Sequence, residues 1–398
     1  MKDLSQRISS LGTENAFVVL QEVNKMEAQG KKIYNFCIGQ PNFRTPEHIC
    51  QAAKAAIDAG KHGYTPSSGI LPLREAVAEM FTKTRGIPVG ADDIVIGCGG
   101  KPFIWYSIFC TTDPGKGHEV IFPNPGFPIY QSMIKGLGAV PVPLYLREKN
   151  NLNFSIDELK EKITPNTRLL ILNSPQNPTG GVLSRKELEQ VAELCIKHDL
   201  WVYSDEVYSA LVFDAEFASI ASIPGMAERT MMVDCASKTY AMTGWRLGYF
   251  ANKKLAPFVT RLVTNSDSCA PNISQEAVLV ALRSDQSAVK EMASHYKSRR
   301  DLFLEGFAKI PGITCHKPGG AFYMWPNVTE ACKITGCANS EEFRKRLLVE
   351  KHVACLADIH FGPQVPGEGE HVRFSCASSP ADISKGLELL NEFVREHM

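Results

Sequence analysis

A surplus of charge of either sign is missing from this chain: 43 Lys and Arg stand against 43 Asp and Glu in 398 residues, a formal net charge of zero. Without a basic excess there is nothing to neutralise a run of phosphates, so no nucleic-acid partner is expected. No acidic tail is present, and no apolar run is long enough to span a bilayer, so no membrane partner is expected either. The start, Met1-Lys2-Asp3-Leu4-Ser5-Gln6-Arg7, is too charged for a secretory signal, and a cytoplasmic protein is expected. Internal repeats, low-complexity segments and long linkers are also missing, which argues against solenoid and disordered classes. None of the twelve cysteines forms a Cys-x-x-Cys motif. Cys332 and Cys337 are the closest pair, and no pair of histidines at ligand spacing accompanies them, so no metal is expected. Cys37, Cys98, Cys110 and Cys195 sit in apolar runs, where thiols act as small hydrophobes.

What is present is ordinary for a soluble globular protein, with 44% hydrophobic and 22% charged residues. The length suits two domains, or one large domain and a satellite. Short apolar runs alternate with helical patterns through the middle of the chain. Asp93 to Gly97, Glu119 to Phe122, Arg168 to Leu172, Leu200 to Tyr203 and Met231 to Val233 read as strands buried on both faces. Between them, Ser184 to His198 reads as a helix. Ser184 and Glu187 form a capping box, and Leu188, Val191, Ala192 and Cys195 recur on one face. This alternation predicts an α/β fold, a mostly parallel central sheet covered by helices. A long helix from about Gln286 to Ala308, a strand from His371 to Ser375 and a helix opening at Ser379-Pro380 predict a smaller α+β domain, with which the residues before about 45 pack. The expected division is residues 46–285 as the large domain, and 1–45 plus 286–398 as the small one.

Lys238 lies in Ser237-Lys238-Thr239-Tyr240, just after an apolar run, with Arg246 eight residues on. A lysine there reads as an amine placed to reach a carbonyl, with the arginine binding an anion and keeping the amine unprotonated. An imine to a phosphate-bearing aldehyde needs this arrangement. A lysine that caps a helix or pairs with a carboxylate is the other reading. Gly97-Cys98-Gly99-Gly100-Lys101 joins a strand to a helix, so the backbone N–H groups of Gly99 and Gly100 can approach a phosphate, or the glycines simply turn the chain. It is not a P-loop, because the Gly-x-x-x-x-Gly-Lys-Ser/Thr spacing is missing. Asn177-Pro178-Thr179-Gly180 follows a strand end, as a plain turn or as an amide aimed at a ligand oxygen. Asp205, at the next strand end, can hold a protonated ring nitrogen or cap a helix, and Tyr208 can donate to a ring oxygen. Arg373 can clamp a carboxylate with two hydrogen bonds, or be a partnered surface arginine. In parallel sheets ligands sit beyond the carboxyl ends of the strands, where nearly all these residues fall.

Together these motifs resemble the class I/II pyridoxal-phosphate-dependent aminotransferases of the aspartate aminotransferase type, fold type I. The resemblance runs from Gly39-Gln40-Pro41-Asn42-Phe43 to Arg373, with Asn-Pro-Thr-Gly, Ser-Asp-Glu-Val-Tyr, and Ser-Lys followed by Arg in the family's order and spacing. It implies pyridoxal 5′-phosphate as cofactor and ping-pong transfer of an amino group from an L-amino acid to a 2-oxo acid. Lys238 would form the internal aldimine and carry the proton, Asp205 would bind the pyridinium nitrogen, and Asn177 and Tyr208 the phenolic oxygen. Gly99, Gly100, Lys101, Ser237 and Arg246 would surround the phosphate, and Phe127 would stack on the ring. Arg373 would clamp the substrate α-carboxylate, with Gly39 and Asn177 close by. A homodimer with active sites at the subunit interface is implied, Tyr64 reaching the neighbour's cofactor phosphate. The resemblance also admits another reaction of the same fold, such as a β-lyase. A non-catalytic regulator is disfavoured, since no helix-turn-helix module precedes the enzyme region.

Departures from the family pattern carry further expectations. Cys235 stands where some members have serine, which alters hydrogen bonding around the phosphate. Ala357-Asp358 replaces a Pro-Gly pair, and the Gly- and Pro-rich loop Phe361 to Glu370 that follows is expected to be mobile. For the substrate, Lys101 matches a subgroup of aspartate aminotransferases that aims a lysine at the distal carboxylate. Glu14, in a segment that often lines the entrance, would repel dicarboxylates and welcome a basic or neutral side chain. Aspartate and 2-oxoglutarate are favoured; an aminotransferase for neutral or basic amino acids is the alternative.

Overall fold

The computed structural model describes residues 3–398. Its centre is a seven-stranded sheet. The strands are β1 (Ile94–Gly97), β2 (Glu119–Asn124), β3 (Val140–Tyr145), β4 (Thr167–Asn173), β5 (Trp201–Asp205), β6 (Thr230–Cys235) and β7 (Gly248–Ala251). Their order is β1-β7-β6-β5-β4-β2-β3. β3, β2, β4, β5 and β6 run parallel, and β7 is antiparallel to both its neighbours. β1, β6 and β7 are buried along their whole length, as continuous apolar runs require when helices cover both faces.

Two strands differ from the expectation. β2 was expected to stop before Pro123 but continues through it to Asn124. Its pairing with β4 is over after Ile121, so the N–H that proline lacks is missing only where the ladder on that side has ended. β3 carries Pro141 and Pro143 and was not anticipated; it survives because it is an edge strand.

The helices that frame the site are α1 (Asn15–Glu27), α2 (Leu71–Arg85), α3 (Lys101–Thr111), α4 (Ile129–Gly136), α5 (Arg185–Lys197), α6 (Ser287–Phe307) and α7 (Pro380–Arg395). α5 has the expected capping box between Ser184 and Glu187, and buries Leu188, Val191, Ala192 and Cys195. α6 and α7 pack together, α7 being capped by Ser379, whose hydroxyl accepts from the Asp382 N–H. Against them lies a small antiparallel sheet of β8 (Tyr323–Met324), β9 (Leu356–Ala357) and β10 (Val372–Ser375), in the order β9-β10-β8. Val19 and Val23 of α1 join Leu348, Leu356 and Phe361 in one buried cluster, which ties the amino-terminal segment to the carboxyl-terminal one. Each such side chain contributes about 1.5–3 kcal/mol when fully buried.

The loop from Phe361 to Glu370, expected to be mobile, is fastened along its length. The Phe361 carbonyl accepts from the Gly126 N–H at 2.8 Å, and Asn124 Nδ2 donates to the Pro363 carbonyl at 2.9 Å. Arg147 Nη1 donates to the Pro366 carbonyl at 2.6 Å, and the Glu148 N–H to Glu368 at 3.0 Å. Its Gly and Pro content serves close packing: a Cβ on Gly362 would sit 1.8 Å from Asn124 Oδ1. All twelve cysteines are free and none is exposed. No helix among the described residues is long and apolar enough to cross a membrane, and no cluster of metal-ligating side chains occurs among them.

Candidate active site

A cavity of about 590 Å³ opens beyond the carboxyl ends of β4, β5 and β6, between the large sheet and β9–β10. That volume suits a cofactor together with a small substrate. Of the residues expected to form the site, all but Gly99 and Tyr64 line it. Gly99 lies directly behind it, where a Cβ would come within 2.4 Å of Arg246 Nη2. Tyr64 is 90% exposed, outside the cavity.

Asp205 closes the floor. Tyr130 donates to its Oδ2 at 2.7 Å, while Oδ1 is buried without a hydrogen-bond partner among the described residues. Burial pushes the carboxyl up to about 6, against the pull of the Tyr130 hydrogen bond. A carboxylate with one satisfied and one orphan oxygen has room for a charged N–H donor, whose positive charge would bring that value back down. Asp205 ends a strand, so it is not the helix cap it could have been.

Lys238 sits on a four-residue helical turn, Ala236–Thr239, immediately after β6. Its Nζ donates to the Gly39 carbonyl at 2.5 Å and pairs with no carboxylate among the described residues. Gly39 is needed for this approach, because a Cβ there would lie 2.1 Å from Tyr323 Oη. That hydroxyl shares a 2.8 Å hydrogen bond with Tyr208 Oη, and burial holds the Tyr208 phenol well above the usual range. Cys235 is buried at the end of β6; burial raises its thiol to about 11, so it meets the cavity as a neutral S–H.

An anion cradle lies at the start of α3. Gly100 is the N-cap of that helix, whose terminus carries partial positive charge. Arg246 points its guanidinium to the same place, donating to the carbonyls of Thr243 at 2.9 Å and Cys98 at 3.2 Å, with no carboxylate partner among the described residues. Ser237 borders the same space.

Opposite lies Arg373, in the middle of β10 and 3% exposed. It donates to Asn177 Oδ1 at 2.9 Å and to the Cys37 carbonyl at 2.5 Å, and its Nε is buried without a partner. Among the described residues no carboxylate pairs with it, so it is not the partnered surface arginine of the alternative reading. A buried guanidinium without a counter-ion is costly, which makes it a receptor for an anion. The bond to Asn177 Oδ1 also fixes that amide, leaving its NH₂ free to donate.

Lys101 and Glu14, expected to compete over substrate charge, meet each other: Nζ lies 2.6 Å from Glu14 Oε2. The ammonium also stands 5.3 Å from the Phe127 ring centroid. Several lining residues escaped the sequence reading, Tyr130, Tyr323 and His360 among them. Tyr130 follows Phe127 by one helical turn and Tyr323 follows the turn at Gly319-Gly320. His360 lies two residues past Ala357-Asp358, where the chain departs from the family pattern, and that departure is the signal that could have been used.

The family model for "Aminotransferase class I and II" matches residues 31–390. An aspartate aminotransferase of Geobacillus stearothermophilus is 33% identical over 394 residues, covering 98% of each chain. An aromatic-amino-acid aminotransferase of Thermococcus litoralis is 38% identical over 377 residues, 93% of this chain and 94% of that one. Among solved structures, the aspartate aminotransferase of Thermus thermophilus with maleate superposes with a TM-score of 0.92 at 31% identity, over 99% of this chain and 100% of that one.

Proposed function

The chain belongs to the class I and II aminotransferases, and from that premise we propose that its preferred substrates are dicarboxylic, aspartate as donor and 2-oxoglutarate as acceptor. It is an aminotransferase that moves the amino group of an L-amino acid to a 2-oxo acid, with pyridoxal 5′-phosphate as cofactor. The cavity fits that group: an orphan oxygen on Asp205, an amine on Lys238, and Arg246 without a counter-ion at a helix start. When bound, pyridoxal phosphate supplies an electrophilic carbonyl and a ring that withdraws electrons from the substrate Cα.

The roles we assign follow from placement. Arg246, Ser237 and the α3 terminus would hold the phosphate. Asp205 would keep a proton on the ring nitrogen, and Asn177 and Tyr208 would donate toward the ring oxygen. Phe127 would stack on the ring. Arg373 receives the substrate α-carboxylate, and Lys238 Nζ takes the proton from the substrate Cα and returns it.

The observation that carries the dicarboxylate reading is Lys101. Among the described residues it is the one lysine or arginine lining the cavity that these roles leave over. Its bond to Glu14 is short, but the Lys101 side chain is 43% exposed. Such a pair is worth at most about 1 kcal/mol, so a substrate carboxylate can capture the ammonium cheaply. Relatives named aspartate aminotransferase support the same reading. The test is a spectroscopic screen of the half-reaction with each amino acid. Aspartate and glutamate should react fastest, and Lys101→Ala should raise their half-saturation concentrations far more than those of neutral amino acids; equal effects would reject the reading.

We also propose a cytoplasmic homodimer. An aromatic side chain as exposed as Tyr64, on a segment the family places beside a neighbouring subunit, supports it. Light scattering of the purified protein tests it. In this reading residues 46–285 form the cofactor-binding domain, and 1–45 with 286–398 the small domain.

A further inference from the structure

The Tyr323 hydroxyl has one hydrogen-bond partner among the described residues, Tyr208 Oη at 2.8 Å, and none of the roles assigned to the cavity uses it. Tyr323 opens β8 and lines the cavity. Its oxygen is held in place from several sides. It rests against Gly39, where a Cβ would come within 2.1 Å of it, and the Gly39 carbonyl receives Lys238 Nζ. The Tyr208 ring stands across the Tyr323 ring at 81°, with centroids 5.7 Å apart. Phe322 packs against both rings, 5.5 Å from Tyr208 and 4.8 Å from Tyr323.

The charged groups that face this pair are Arg373, 4.3 Å over the Tyr323 ring, Lys238, 5.9 Å from the Tyr208 ring, and Asp205. None of them hydrogen-bonds to either hydroxyl among the described residues. A phenylalanine would fill the same space and seat Arg373 as well, so packing does not account for the oxygen. Burying it costs free energy unless it is bonded.

A phenol has one hydrogen to give and lone pairs to receive with. When Tyr208 gives its hydrogen to the cofactor's ring oxygen, the contact between the two tyrosines is a hydrogen bond only if Tyr323 is the donor. A hydroxyl that receives a hydrogen bond is polarised by it and donates more strongly in turn. We propose that Tyr323 is a positioning residue: its hydroxyl donates to Tyr208 Oη, and so aims the Tyr208 O–H at the cofactor's ring oxygen and strengthens it as a donor. The inference rests on the role assigned to Tyr208 and extends it by one residue. A stronger donor favours negative charge on the ring oxygen, and so lowers the pH at which the cofactor's visible absorbance changes.

The test is a pH titration of that absorbance in the holoenzyme, for the wild type, Tyr323→Phe, Tyr208→Phe and the double variant. Tyr323→Phe should raise the midpoint by about 0.4–1 pH unit, the share that one polarising hydrogen bond adds to the next. Tyr208→Phe should raise it further, and adding Tyr323→Phe to Tyr208→Phe should move it no more. Because the ring remains, half-saturation by amino acid in Tyr323→Phe should stay within about twofold of the wild type, a change well below the worth of one hydrogen bond. Melting temperature shows which variants fold, and Tyr323→Met, which also lacks the hydroxyl, serves if the phenylalanine variant does not. A midpoint that moves in Tyr208→Phe but not in Tyr323→Phe overturns this inference alone. So does an equal rise from Tyr323→Phe in the Tyr208→Phe background, because the hydroxyl would then act without Tyr208. A midpoint unmoved in Tyr208→Phe overturns the role of Tyr208 and this inference with it.

Discussion

Arg85 Nη2 lies 2.7 Å from Asp234 Oδ2, with both side chains almost wholly buried. The same guanidinium donates through Nε to Glu206 Oε2 at 2.8 Å. Glu206 directly follows Asp205, and Asp234 directly precedes Cys235, so one arginine from the end of α2 ties together the ends of the two strands that present the site. The remaining carboxylate oxygens are also met: Ser204 and Ser219 donate to Glu206 Oε1 and the Cys235 N–H to Asp234 Oδ1, while Ser209 shares Asp234 Oδ2 with the arginine.

Removing Arg85 leaves two carboxylates in an apolar interior. Arg85→Met should destabilise the protein by about 3–5 kcal/mol, read as a lower urea midpoint. An unchanged midpoint would show that the network is dispensable.

Arg373 is the opposite case, a buried guanidinium with no carboxylate partner among the described residues, to which the proposed function assigns the substrate carboxylate. Arg373→Leu should weaken amino-acid binding by about 2–5 kcal/mol, because a carboxylate then enters a site without its charge. The cofactor-free protein should lose little stability, since no ion pair is broken. Titration of the holoenzyme with amino acid, beside a thermal melt, checks both halves.

Asp205 gives the cofactor-free protein a pH signature. Burial raises its folded value to about 6 from an ordinary value of 3.8. The folded state therefore holds this proton more tightly, and stability from this group is lost as pH rises from about 4 to 6, by about 3 kcal/mol in all. Asp205→Asn should remove that decline from the unfolding profile. It should also slow the half-reaction by about 10²–10³, as expected when an electrostatic partner of the reacting system is lost.

Glu14→Gln frees Lys101 from its ion pair. Half-saturation for aspartate and 2-oxoglutarate should fall by a factor of about two to five, within the worth of an exposed pair. The gain should shrink in high salt, because the charges are screened.

Gly39 and Tyr323 are coupled by contact. Gly39→Ala puts a Cβ against Tyr323 Oη and should disturb both that hydroxyl's bond to Tyr208 and the Gly39 carbonyl that receives Lys238. At least a tenfold loss of half-reaction rate is expected. Tyr323→Phe removes the clashing oxygen and should partly rescue it, giving a non-additive double mutant.

Local signals were readable wherever a residue type has few alternatives in its setting. The capping box at Ser184 and Glu187, the apolar runs of β4 and β6, and Ser379-Pro380 at the start of α7 each reflect chemistry confined to a few neighbouring residues. The strand β3 was missed because its prolines are tolerated only at a sheet edge, and edge position is a property of the assembled sheet. The loop after Phe361 reads as mobile because glycine and proline permit mobility; the partners that fasten it lie more than two hundred residues away in the chain.

Residue order alone predicted the α/β architecture, and its motifs carried the family resemblance that implies cofactor roles for Lys238, Asp205 and Arg246 and an anion clamp at Arg373, because strand ends and motif spacing are local. Folding decided which charges are spent and which are left free. It joined Lys101 to Glu14 across 87 positions and Arg85 to Asp234 across 149, and left the Arg373 Nε, one oxygen of Asp205 and one nitrogen of His360 without partners among the described residues. Burial and pairing are set by neighbours in space, and those neighbours come from distant parts of the chain.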